Sequence, residues 1–396
     1  MGPSHAALSC HHFTLWCRGR AFLTGRFTLV IPLNDLSRAA TRDSEQLNRA
    51  VERVTKSGWY ALGPEVASFE GAFAAYVGVT DCIGVGNGTD ALTVSLLALG
   101  IGPGSRVANC ANAGFYGTSA IRAVGAQPVF VDVCEDTAGI ELGSLAVALE
   151  SGVDAVIVTH LYGRMEQMEA LTVLCRDAGV PIVEDCAQSA GAILADRRAG
   201  SWADIGAFSF YPTKNLGALG DAGAITTSTP ELAARIRSLR QYGWSDKYHC
   251  KLPFGRNSRI DEIQAAVLVS RLPDLDTHNS RRREILTRYA SIANSYGAGA
   301  LMQQGPGDVA HHAVLTTGDR DGVRERLAQR GIGSDIHYPI PDHRQSAIEV
   351  SAREFRLPVT ERLASQVLSV PMFPELTDHE VDLVCEGLDD ALRRQR

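Results

Sequence analysis

The chain has 396 residues, with 38 Lys and Arg against 45 Asp and Glu, a net charge of -7 and 45% hydrophobic residues. That is the balance of an ordinary globular protein, long enough for a large cored domain and a smaller second one. The acidic excess argues against a nucleic-acid binder, which would present a basic face, and no apolar run reaches the length of a membrane span.

Residues 1–29 show neither a helical nor a strand period, and polar breaks interrupt any signal-peptide core; a loose N-terminal extension is expected. Cys10, His11, His12 and Cys17 fall there at a spacing that matches no zinc pattern, so no metal is expected. The nine cysteines form no C-x-x-C pair and read as reduced thiols of a cytoplasmic protein.

From residue 33 onward, β-rich runs alternate with helical patterns. Strands are expected at 82–86, 106–109, 128–133, 154–160, 181–185, 207–210 and 222–227, with helices at 89–99 and 168–179 among the connections. Strands separated by helices of this length form a mostly parallel sheet covered on both faces. In such a sheet the ligand sits where the carboxyl ends of the strands meet their loops. After residue 272 come a Pro-opened, Arg-rich helix over 273–297, a Gly-rich loop, helices near 320–330 and 377–393, and a Pro-rich stretch at 337–343. The expected organisation is an α/β domain over 30–272 and a smaller α+β domain over 273–396.

Three segments carry chemistry. GVGNGTDAL (84–92) reads as a strand, a Gly-rich turn and a helix start, with Thr89 or Asp90 as the cap; free N–H groups there would hold an anion, although an ordinary capped turn has the same pattern. VEDCAQSAG (183–191) ends an apolar strand on Glu184 and Asp185, either caps or charges aimed into a site. In SFYPTKNLGALGDAG (209–223), Lys214 follows a strand within a Gly-rich turn, and the Ser209 hydroxyl at the strand end can take a phosphate oxygen. A lysine shielded from water there has a lowered pKa and becomes a competent imine-former and proton shuttle.

Taken in order, these segments resemble the DegT/StrS family of sugar aminotransferases, which have the fold-type I architecture of pyridoxal-phosphate (PLP) enzymes. The resemblance also covers SGWYALGPEVASFEGAFAAYVG (57–78), GAQPVFVDV (125–133), VTHLYG (158–163) and NSRIDEIQAA (257–266). It implies PLP as cofactor, Lys214 as the Schiff-base lysine and acid/base, and Asp185 as partner of the pyridine nitrogen. Gln188 would contact the phenolic oxygen of the ring, and Phe115 or Tyr116 would cover the ring. Gly88, Thr89 and Ser209 would hold the phosphate, with Asn257 reaching it from the other subunit of a homodimer. Lys at position 214, rather than His, separates the family's aminotransferases from its dehydratases.

IHYPIPDHRQ (336–345) and the Lys247–Tyr248 pair look most like enzymes that aminate carbon 3 of a dTDP-linked 3-keto-6-deoxyhexose with L-glutamate as donor. Tyr211, Lys247, His337 and Tyr338 would line the sugar site. Amination at carbon 4, or of a cyclitol ketone, would use the same cofactor residues. A non-catalytic regulator on the same fold is the rival from another class. The sequence departs from the family pattern at Ser105–Arg106, where Asp–Glu is usual, at Arg164, where Gln is commoner, and over the Gly-rich 297–319.

Overall fold

The computed structural model describes residues 30–297, 305–348 and 355–394. The expected N-terminal extension and its Cys and His residues lie outside the described residues.

Seven strands form the central sheet: β1 (Asp81–Val85), β2 (Arg106–Cys110), β3 (Gln127–Val131), β4 (Ala155–Thr159), β5 (Ile182–Asp185), β6 (Ile205–Ser209) and β7 (Gly223–Thr227). Their order is β1-β7-β6-β5-β4-β2-β3. The pairs from β6 through β5, β4 and β2 to β3 are parallel, whereas β7 runs antiparallel to both β1 and β6. Helical crossovers join β2 to β3, β3 to β4 and β4 to β5, whereas β5 reaches its parallel neighbour β6 through a connection that holds only a short hairpin at residues 193–198. The link from β6 to β7 is also a loop without a helix, and it returns the chain antiparallel.

The apolar strands are buried on both faces, so they read as nearly continuous hydrophobic runs. On β4, Ala155 and Ile157 join one core cluster while Val156 and Val158 join the other, which is the two-residue period of a strand. One face packs against the helices Pro64–Val77, Leu142–Glu150 and Met168–Asp177; the other packs against Gly88–Ala98, Tyr116–Ala123 and Pro230–Leu239. Edge-to-face packing of Phe73 on Phe208 and Phe210, at 4.9 and 5.2 Å, fixes the end of β6. Such pairs contribute about 0.5–1.5 kcal/mol each. Because Ser209 lies between these two inward-facing rings, it points the other way, toward the loops.

A second core forms around the two-stranded antiparallel sheet of β8 (Ala313–Thr316) and β9 (Val367–Val370). The helices Leu275–Ser295, Arg320–Gln329 and Asp378–Arg393 bury Ile285, Tyr289, Leu327, Val384 and Leu388 there. Thr377 and Glu380 close a reciprocal capping box at the start of the last helix. Ile31 also packs into this core, and its backbone bridges Ile332.

Candidate active site

The site is assembled from the carboxyl ends of β4, β5 and β6, the start of helix Gly88–Ala98 and a loop from the second core. Asp185 ends β5 and is buried. Burial pushes its carboxyl above the usual range; the Ala187 N–H at 3.1 Å, the charge of Lys214 and the Thr159 hydroxyl at 3.3 Å act in the opposite direction. A carboxylate so enclosed stays ionised best with a cationic partner beside it.

Lys214 lies in the loop after β6. The loop is closed by backbone bonds from Phe210 to Ala222 and from Ala218 to Phe210, both 2.8 Å. Its neighbour Asn215 donates to Asn279 Oδ1 at 2.8 Å and to the Val309 carbonyl at 3.0 Å, and its own Oδ1 sits 2.8 Å from His311 Nδ1. Burial pushes the Lys214 amine down to about 8, with Asp185 pulling the other way. Lys214 therefore gives up its proton far more readily than an exposed lysine.

Gly88 opens its helix, and a Cβ added there would fall 2.6 Å from Ser209 Cβ. The cap is Asn87, whose side chain accepts from Asp90 N at 2.8 Å, rather than Thr89 or Asp90 as expected. This correction has a simple reason: the cap must precede the first helical residue, and the helix starts one residue before the expected boundary. The N–H groups of Gly88 and Thr89 then point forward with no intrahelical acceptor. With the Ser209 hydroxyl they form a cradle suited to a phosphate.

Gln188 is buried, accepts from Tyr162 N at 2.6 Å and donates to Tyr338 Oη at 3.1 Å. Tyr338 meets the exposed Tyr116 edge-on at 6.2 Å. Phe115 turns instead to a cluster with Ala111, Phe130, Ile348 and Leu357. Its N–H donates to Asp342, which also accepts from the Thr118 hydroxyl. The structure thus brings together Gly88, Ser209, Asp185, Gln188, Lys214, Tyr116, His337 and Tyr338, with Thr89 beside Gly88 and Tyr211 exposed on the Lys214 loop. Asn257 and Lys247 stand apart within the single chain. Asn257 is exposed and bridges Gln241, and Lys247 lies in the turn of the Trp244–Cys250 hairpin, its amine 5.2 Å from the Tyr248 ring.

Sequence reasoning missed two groups. His311 and His312 lie in the stretch that fits the family pattern poorly, yet His312 stacks on His337 and His311 packs on His312; the adjacent histidine pair was the available signal. The other is behind β5, where Glu184 accepts from Gly200, Trp202 and Ala203 N–H groups and faces His160 Nε2 at 3.0 Å. Cys186 completes a buried donor trio with them. Because His160 Nδ1 accepts from Glu166 N, its Nε2 carries the proton toward Glu184, and the trio is satisfied by hydrogen bonds alone.

Residues 41–389 match the model of the DegT/DnrJ/EryC1/StrS aminotransferase family. The chain belongs to that family. It is 41% identical to the dTDP-3-amino-3,6-dideoxy-alpha-D-galactopyranose transaminase of Aneurinibacillus thermoaerophilus, over 91% of this chain and 99% of the relative. It is 42% identical to the dTDP-3-amino-3,4,6-trideoxy-alpha-D-glucose transaminase of Streptomyces venezuelae, over 87% of this chain and 92% of the relative. Among solved structures it resembles S. venezuelae DesV in complex with a ketimine intermediate, with a TM-score of 0.88 and 39% identity, covering 93% of this chain and all of that one. The aminotransferase uses pyridoxal phosphate, and the anion cradle, the enclosed carboxylate and the desolvated lysine are the donor set that cofactor requires. Among the described residues no helix is long and apolar enough to cross a membrane.

Proposed function

We propose that the enzyme transfers the amino group of L-glutamate to carbon 3 of a dTDP-linked 3-keto-6-deoxyhexose, acting as a cytoplasmic homodimer with shared sites. The observation that carries the reading is the desolvated Lys214 facing buried Asp185 at the ends of adjacent strands, with the Gly88–Ser209 cradle beside them. The substrate class rests on the relatives named for dTDP-3-amino sugars.

When bound, pyridoxal phosphate supplies a ring that delocalises the electron pair left on a deprotonated substrate carbon. Asp185 holds the proton on the pyridine nitrogen. Gly88, Thr89 and Ser209 bind the phosphate through N–H and hydroxyl groups, and the Gln188 amide addresses the phenolic oxygen. Tyr116, rather than Phe115, is the ring free to cover the cofactor, since Phe115 is packed in a core cluster. With an amine near 8, Lys214 takes the proton from the amino-bearing carbon of glutamate in the first half-reaction. In the second, it returns a proton to carbon 3 of the sugar. Tyr211, His337 and Tyr338 line the sugar site from the same chain.

Asn257 and Lys247 serve the partner's site, which fits their exposure here. Trp59, Tyr60, Tyr248 and Phe254 are likewise more than half exposed, as expected of aromatics that a second copy covers. The seven described cysteines are all free, consistent with a reducing compartment. The test is to incubate the purified enzyme with pyridoxal phosphate, L-glutamate and either a dTDP-3-keto- or a dTDP-4-keto-6-deoxyhexose, then detect the amino sugar by mass. Amination of the 3-keto sugar alone is expected. Amination of the 4-keto sugar alone would replace this reading with the carbon-4 reaction.

A further inference from the structure

Three imidazoles stack between the loop that carries Lys214 and the loop that carries His337 and Tyr338. His312 is the middle ring, 4.1 Å from His337 at an interplanar angle of 17° and 4.2 Å from His311 at 53°. The outer rings are anchored, His311 on Asn215 and His337 on Ser369 Oγ, each at 2.8 Å. His312 is held by ring faces, the edge of Tyr162 at 6.4 Å, and its backbone. Its backbone position is fixed because residues 309–312 lie on the turn at 162–163: Val309 N donates to Gly163 O and His311 N to Tyr162 O, both at 2.9 Å. Gly163, at φ +89, is required there, since a Cβ would come within 2.7 Å of His311 N.

Among the described residues, neither ring nitrogen of His312 has a hydrogen-bond partner, and the residue is only partly buried. Polar atoms in a closing site call for partners. Burial, together with His337, Lys214 and the Arg282 guanidinium that donates to the His311 and Met372 carbonyls, holds the ring well below the usual imidazole range. A neutral imidazole offers one N–H and one lone pair. A hydroxyl matches both, whereas a carboxylate would use only the donor. The stack order also places His312 between the reacting lysine's neighbour Asn215 and the loop that carries His337 and Tyr338.

We propose that His312 is a specificity-determining positioning residue that hydrogen-bonds a ring hydroxyl of the sugar beside the reacting carbon. The inference rests on the sugar-aminotransferase reading above. The test uses calorimetric titration of holoenzyme in its pyridoxamine form, which cannot react with an amino sugar. The probes are dTDP-3-amino-3,6-dideoxygalactose and dTDP alone.

His312→Phe keeps the aromatic stack and removes both nitrogens. It is expected to weaken amino-sugar binding about tenfold, the worth of roughly one good hydrogen bond. Its dTDP affinity, and the spectral response of its pyridoxal form to L-glutamate, should stay those of the unaltered enzyme. Should the Phe variant fold poorly, His312→Gln, which keeps a donor and an acceptor, should bind the amino sugar within about threefold of the unaltered enzyme.

Unchanged amino-sugar affinity in His312→Phe, or loss of the glutamate response alone, would overturn the inference and leave the function standing. An unaltered enzyme that neither responds to glutamate nor binds the amino sugar would overturn the function, and this inference with it.

Discussion

Asn215→Ala removes the tether of the lysine loop without touching the lysine. Three side-chain hydrogen bonds disappear, to Asn279, Val309 and His311. At about 1 kcal/mol each, the expected loss is about 3 kcal/mol. Asn279 keeps its bond to the Ala190 carbonyl at 3.0 Å, so the damage stays local to the loop and the 309–311 segment. Denaturant titration of the cofactor-free protein should show the loss as a lower midpoint at unchanged slope. Titration with pyridoxal phosphate should show affinity weakened about tenfold or more, because part of the binding energy is then spent ordering the loop. A stability loss below about 0.5 kcal/mol with unchanged cofactor affinity would refute the claim that these bonds hold Lys214 in place.

Gly88→Ala would set a methyl 2.6 Å from Ser209 Cβ, so overpacking of about 1–3 kcal/mol is expected, with weaker binding of pyridoxal phosphate in a titration; normal affinity would place the phosphate elsewhere. Asp185→Asn should retain cofactor yet slow turnover by orders of magnitude in a steady-state assay, and a near-normal rate would remove its assigned role. The lowered pKa of Lys214 also predicts a pH signature in the cofactor-free protein. Its folded value is about 8 against 10.5 for an ordinary lysine, so between those values the unfolded chain binds more protons and this group adds stability as pH rises. Lys214→Met should therefore exceed the unaltered protein in stability by a margin that is largest below pH 8 and shrinks toward 10.5. A margin independent of pH would mean that the lysine is not desolvated.

Much of this was legible in the sequence because it is local. The strands of the sheet are bounded by Gly- and Pro-rich turns; Asp185 and Ser209 end strands, Gly88 starts a helix, and Lys214 lies in the loop directly after β6. The direction of β7 was not open to reading: neither the β5–β6 link nor the β6–β7 link holds a helix, yet the first pair is parallel and the second antiparallel. What escaped was non-local. The imidazole stack joins residues at 311–312 and 337, and the Glu184 shell joins 160, 184 and 200–203; no period or spacing links them. That Phe115 packs against the cluster around Phe130 while Tyr116 stays exposed is likewise set by the packed chain and by no local pattern.

The central claim, that Lys214 holds pyridoxal phosphate and passes the amino group of glutamate through it, is tested most directly by one absorbance spectrum. Purified protein with pyridoxal phosphate should show a visible band near about 400 nm, from the cofactor joined to the lysine. Adding L-glutamate should move the absorption to shorter wavelength, and Lys214→Ala should lack the band while keeping the fold. A band that ignores glutamate would contradict the donor, and no band in the unaltered protein would contradict the role of Lys214.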